Sequence, residues 1–290
     1  MFSVSSVVKS VFSVADASCP DPGLPVVRLC GVPLHAITER QCIQHVLDAL
    51  DAGRGGWIVT ANLDFLRRLG RDASFAALCA KASLIVADGM PLIWASRLQG
   101  TPLPERVPGS DLVPSLSAAA AERGRSVYLL GGDTGTADAA AAILEQRFPT
   151  LRIAGTACPL LGFEHDERAL GEVIENLVSA SPDIVYVALG SPKQEILIDQ
   201  ARSLLPATWW MGVGISFSYL CGHVRRAPRW MQRLGLEWLC RLTQEPGRLG
   251  KRYLLQGIPF AVALLGEALT HRVFDLASHS SKRRKRDGAS

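Results

Sequence analysis

Between Val26 and about Gly222, short β-branched apolar runs alternate with Ala- and Leu-rich stretches of helical length, and this alternation leaves few architectures open. The runs at Trp57–Thr60, Leu84–Ala87, Val127–Leu130, Ile184–Leu189 and Trp209–Val213 are apolar at nearly every position. Strands read this way when both faces of a parallel sheet are covered. Between them, helices are expected over Glu39–Ala52, Ser110–Arg123, Thr136–Arg147 and Asp166–Ala180. Thr38 and Gln41 stand at capping-box spacing ahead of the first. Such a succession implies right-handed crossovers and an α/β fold: a Rossmann-like, mostly parallel sheet flanked by helices.

Past Gly222 the texture changes. Arg-, Trp- and Leu-rich helical stretches follow at Pro228–Leu242, Pro246–Gln256 and Ile258–Leu276. The charge is segregated in the same way. Residues 223–256 carry eight basic side chains against two acidic and residues 257–290 six against three, whereas the first 222 carry 17 against 22. The expected organisation is a loosely ordered extension (1–25), an α/β catalytic core (26–222), a helical appendage (223–276) and a disordered basic tail (277–290) containing Lys282–Arg286. A concentrated positive field points to a polyanionic partner: phosphate, nucleic acid or an anionic membrane surface.

Serines interrupt the apolar residues of the N-terminus, so no signal-peptide core is read there. No run reaches the ~18–20 apolar residues of a bilayer span. The nearest, Ile258–Gly266, has nine and reads as a core or interfacial helix. The seven cysteines are scattered without a Cys-x-x-Cys pair, which fits a reducing cytoplasm rather than a disulfide framework or a structural zinc site.

In an open parallel sheet, ligands bind where the carboxyl ends of the strands converge. Thr60 and Asn62 follow the first run, Asp88-Gly89 the second and Gly131-Gly132 through Gly135 the third. Gly190 through Glu195, with Lys193 and Gln194, follows the fourth, and Gly212-Val-Gly214 closes the last. Each piece alone is an ordinary turn. Five on one rim make a binding crevice. The six histidines show no paired ligand spacing and no Asp-x-Asp occurs, so no metal site and no cofactor is expected. A diphosphate handled here must be neutralised by protein cations and helix N-termini.

The chain resembles the WecG/TagA/CpsF family of bacterial glycosyltransferases over roughly Val26 to Leu269. The resemblance rests on ordered blocks: Thr60-Ala-Asn62, Ala87-Asp-Gly89, Arg106-Val-Pro-Gly-Ser-Asp111, Leu130-Gly-Gly132, Leu189-Gly-Ser-Pro-Lys-Gln-Glu195, Gly212-Val-Gly214, Arg226-Ala-Pro228, Gly235-Leu-Glu-Trp238, and Arg241-Leu followed by Glu245-Pro and Arg252-Tyr253. It implies inverting, metal-independent transfer of a hexosyl or N-acetylhexosaminyl(uronic) unit from a UDP-sugar to a sugar on a polyprenyl diphosphate, in cell-surface or extracellular polysaccharide synthesis. By the same resemblance Asp88 is the catalytic base beside Thr60, and Asn62, Lys193 and Gln194, with the Gly131, Gly132 and Gly190 turns, bind the donor nucleotide. Arg106, Arg241, Arg248 and Arg252 are the expected acceptor and phosphate contacts. The chain departs from the family at Met90-Pro91 and at Ser218 after Phe217, both near the implied sugar site.

The expected partners are then the UDP-sugar, the lipid-linked sugar acceptor and an anionic membrane surface, with no nucleic acid, and the enzyme sits on the inner face of the cytoplasmic membrane. Trp230, Trp238, Tyr253 and Phe260 are candidates for the headgroup level. The same helices could instead form a second core or the interface of a homo-oligomer. Two other classes compete. A nicotinamide-dependent oxidoreductase needs Gly-x-Gly-x-x-Gly after a strand and an acidic residue ending the next, and neither is present. A non-catalytic basic membrane binder has no use for the crowded strand ends.

Overall fold

A computed structural model describes the backbone of residues 23–287 and side chains through residue 274; most of the expected N-terminal extension lies outside the described residues. The described residues open with an antiparallel hairpin, β1 (Val26–Leu29) and β2 (Val32–His35), which the sequence reading did not separate. Helix α1 (Glu39–Asp51) begins at the capping box: Thr38 Oγ1 accepts the Gln41 N–H at 3.2 Å and Gln41 Oε1 accepts the Thr38 N–H at 2.8 Å.

The alternation then runs as read. Strand β3 (Gly56–Ala61) leads into α2 (Leu63–Leu69) and α3 (Ala73–Cys79), and β4 (Leu84–Ala87) into α4 (Met90–Gln99) and α5 (Gly109–Glu122). Next come β5 (Ser126–Gly131), α6 (Thr136–Arg147), β6 (Arg152–Ala157), α7 (Glu167–Ala180), β7 (Ile184–Ala188), α8 (Lys193–Ala201), β8 (Trp209–Gly212) and the short α9 (Ser216–Leu220). The six strands from β3 onward form one parallel sheet in the order β4-β3-β8-β7-β5-β6. Alternate residues feed two cores: Trp57, Val59, Ile85, Val185, Val187 and Trp210 on one face, Ile58, Val86, Val127, Leu129, Tyr186 and Met211 on the other. That double burial is why the strands read as unbroken apolar runs.

Strand β6 escaped the sequence reading for the same reason in reverse. It is an edge strand with one neighbour; Arg152 is exposed and its other residues only half-buried, so no apolar run marks it.

Beyond the sheet, the single helix expected over Pro228–Leu242 is two: α10 (Arg229–Arg233) and α11 (Glu237–Gln244). Gly235 breaks it, with φ at +67°, and a Cβ there would stand 2.8 Å from both Met90 Cβ and the Trp94 ring. Only glycine lets the appendage turn left-handed and close onto α4. After α12 (Pro246–Gly250), a π-helical turn (Lys251–Gly257) leads into α13 (Ile258–Asp287). The backbone of residues 277–287 is thus helical where a disordered tail was expected. The stretch Pro246–Phe274 is long and apolar enough to cross a bilayer by length and composition, which the sequence reading denied to any segment. One face of α13 is nevertheless occupied: Phe260, Leu264 and Ala268 are buried in the core shared with α4, while Val262, Leu269, Val273 and Phe274 are exposed.

Candidate active site

Strands β3 and β4 end side by side. The Asp88 N–H donates to Ala61 O at 2.7 Å, and the Val107 N–H donates to Ala87 O at 2.7 Å, which brings the Arg106 segment across the end of β4. Gly109, opening α5, covers Thr60: a Cβ on it would lie 3.3 Å from Thr60 Oγ1 and 3.8 Å from Gly212 O. Thr60, Asp88, Gly109 and the end of β8 therefore share one rim. Asn62 is present too, but its Oδ1 accepts the Phe65 N–H at 3.0 Å as the N-cap of α2.

Asp88 is the unusual member. Among the described residues no hydrogen bond or ion pair engages its carboxyl. Burial pushes it up to about 7; Arg106 and Arg226 pull against that shift, while Glu237 and Asp111 reinforce it. A half-buried carboxyl that titrates near neutrality and is not spent on the protein suits a general base.

Beside it lies a lattice of two arginines and two carboxylates. Arg106 Nη1 meets Glu237 Oε2 at 2.9 Å, and its Nη2 meets Gln232 Oε1 at 3.3 Å and Asp111 Oδ2 at 3.9 Å. Arg226 pairs with Asp111 and lies 3.7 Å from Glu237 Oε1. With Met90, Arg229 and Arg233, the residues Arg106, Asp111, Gln232 and Arg226 line a cavity of about 470 Å³. Arg226 Nη2 and Arg241 Nε are buried N–H groups that no acceptor meets among the described residues. Each unmet buried donor costs roughly 1–3 kcal/mol, a cost that a bound anion removes. Arg241 belongs to this neighbourhood: burial pushes the Tyr219 hydroxyl up to about 12, and Arg241, Glu237, Tyr253 and Arg226 all act on it electrostatically.

The other expected residues are placed less directly. The Gly132 N–H donates to Ala188 O at 2.9 Å, so that amide is already used within the fold. Gly190 starts the turn into α8, where its carbonyl accepts the Gln194 N–H at 3.1 Å. Lys193 is ion-paired with Glu164, which holds Glu164 below the usual carboxylate range. Gln194 is buried between elements: its Nε2 donates to Glu195 Oε1 at 2.9 Å and its Oε1 accepts the Gly214 N–H at 3.2 Å. A Cβ on Gly212 would meet that amide at 2.4 Å, so this glycine is a packing requirement. Arg252 reaches Asp64 of α2, and Arg248 pairs locally with Glu245 on the outside.

Four side chains in or bonded to the lattice had no role in the sequence reading: Asp111, Arg226, Gln232 and Glu237. Three of them stand in the ordered blocks, but they are distant in sequence, and only the closing of the appendage over α5 brings them together. The signal available was the position of charged residues inside otherwise apolar or turn-forming blocks.

A parallel sheet whose strand-end rim carries an uncommitted carboxyl beside half-buried arginines is suited to holding anionic ligands. The glycosyl transferase WecG/TagA/CpsF family matches residues 27–273, and the chain belongs to this family of glycosyltransferases. A relative from Bacillus spizizenii, an N-acetylglucosaminyldiphosphoundecaprenol N-acetyl-beta-D-mannosaminyltransferase, is 34% identical over 69% of this chain and 75% of its own length. A protein of the same description from Bacillus subtilis strain 168 is 32% identical over 78% of this chain and 85% of its own length.

Proposed function

We propose that this chain transfers an N-acetylhexosaminyl unit, N-acetylmannosamine in the first instance, from a UDP-sugar to a sugar carried on a polyprenyl diphosphate, with inversion and without a metal, in cell-surface polysaccharide synthesis. The observation that carries the reading is the Asp88 carboxyl, uncommitted and raised to about 7, under the electrostatic influence of Arg106 and Arg226, two of the residues that line the neighbouring cavity. Family membership and the acceptor named for both relatives support it.

In this mechanism an Asp88 oxygen takes the proton of the acceptor hydroxyl as that oxygen bonds to the anomeric carbon of the donor. The bond from that carbon to the β-phosphate oxygen breaks, and UDP leaves with the electron pair. A well-placed base contributes about 10²–10⁴ in rate. The greater need is to steady the negative charge that grows on the diphosphate, which fixed donors such as Arg226 Nη2 and Arg241 Nε can meet without reorganising. Thr60 borders the acceptor hydroxyl, and Asn62, Lys193, Gln194 and the Gly131, Gly132 and Gly190 turns border the nucleotide.

A lipid-tethered acceptor requires the enzyme to work at a surface. The exposed Leu254, Leu255, Ile258 and Val262, near the basic Arg248 and Lys251, fit peripheral docking of the appendage on the inner leaflet. The test is transfer from a panel of UDP-sugars to a short-chain prenyl-diphosphate N-acetylglucosamine, with and without chelator. Transfer from UDP-N-acetylmannosamine that survives chelation and is lost in Asp88→Asn is expected. An Asp88→Asn enzyme retaining more than about a tenth of the rate removes Asp88 as the base.

A further inference from the structure

The two arginines that act electrostatically on the base form no ion pair with it among the described residues. Arg106 and Arg226 are cations beside a carboxyl with no partner, yet every contact they make runs to Glu237, Gln232 and Asp111. Glu237 is the only residue among these that touches both guanidinium groups from the appendage side, at 2.9 Å and 3.7 Å. We propose that Glu237 is a positioning residue of the transfer reaction: carried in by α11, it holds Arg106 off the Asp88 carboxyl and so keeps that carboxyl an effective base.

The charged groups facing Asp88 are Arg106, Asp111, Arg226 and Glu237, two of each sign. Asp111 comes from the first turn of α5, Arg106 from the segment before it, and the other two from the chain beyond the sheet. Removing Glu237 alone leaves one uncompensated positive charge and frees the Arg106 fork, whose Nη1 then has no acceptor. A neighbouring unpaired arginine lowers a carboxyl by ~1–3 pH units and makes it a poorer proton acceptor. The site is therefore complete only when the appendage is docked, which gives α11 a catalytic consequence beyond closure.

The inference rests on Asp88 acting as the base, and its test separates the two claims. In the full-length protein, the pH profile of kcat/KM is measured for wild type, Glu237→Gln, Glu237→Asp, Arg106→Gln and the Arg106→Gln/Glu237→Gln pair, with Asp88→Asn as control. The acid limb should move down by ~1 pH unit in Glu237→Gln, with a several-fold lower plateau, and return toward wild type in Glu237→Asp. Arg106→Gln should move it up, and the double variant should restore it. A limb that stays in place in Glu237→Gln while kcat falls leaves Glu237 a merely structural brace and overturns the proposal. Should Glu237→Gln not fold, an unmoved limb in Arg106→Gln does the same. Activity surviving in Asp88→Asn instead removes the base assignment on which the inference depends.

Discussion

Arg252, in the π-helical turn of the appendage, reaches Asp64 of α2 at 2.8 Å, and so ties the C-terminal segment to the helix that follows the Thr60 and Asn62 strand end. Asp64 already holds Arg67 at 2.8 Å, so one carboxylate serves two arginines. The pair to Arg252 is half-exposed and contributes under about 1 kcal/mol to global stability. Asp64→Ala should therefore lower Tm by only a few degrees while speeding limited proteolysis between residues 245 and 257 several-fold. Unchanged cleavage there means the tether does not hold the appendage.

The raised Asp88 carboxyl makes stability depend on pH in a direction opposite to that of most acids. The unfolded chain releases this proton near 3.8, whereas the folded chain keeps it to about 7. Between those values the native state binds more protons, so its contribution declines as pH rises and is fully lost above 7. Asp88→Asn should be more stable than wild type at pH 8, by at most about 4 kcal/mol, and close to it below pH 4. Thermal melts at the two pH values check this. Activity runs the other way, rising with pH through about 7 as the carboxylate forms.

Gly235→Ala places a Cβ against Met90 and the Trp94 ring at a backbone angle that suits only glycine. The expected cost is about 1–3 kcal/mol. Because α11 carries Glu237, turnover should fall further than the Tm shift alone explains, and partial activity at low temperature should track docking of the appendage. Full activity in this variant shows that the turn tolerates a side chain.

On α13 and the turn before it, Leu255 and Val262 are 71% and 66% exposed, so Leu255→Asp/Val262→Asp should leave the melting temperature within a degree or two of wild type. Flotation with anionic liposomes should drop by at least tenfold, since two apolar groups that would enter the interface are replaced by repelled charges. Flotation that stays the same assigns this face to another partner, a second copy of the chain included.

The legible parts of this chain were those in which a single physical cause shapes a contiguous stretch. Trp57–Thr60 and Ile184–Leu189 announce themselves because both faces of the sheet are covered, and Thr38 with Gln41 because a capping box is local. Strand β6 was hidden by its edge position, and the break at Gly235 by a sequence that continues in helical character on either side. Asp88 could be placed on the rim from its strand. The Arg106–Glu237 contact could not, because it joins residues 131 apart and exists only after α11 has packed.

The strand order has a consequence for synthesis. Strand β8 is the last of the sheet to leave the ribosome, yet it lies between β3 and β7, pairing Trp57 with Trp210 and Ile184 with Trp209. Until residue 212 emerges, two half-sheets wait with facing, unpaired edges. A nascent chain stalled earlier presents those edges to holdases and to its neighbours, and truncations upstream of that point should aggregate rather than yield a smaller enzyme.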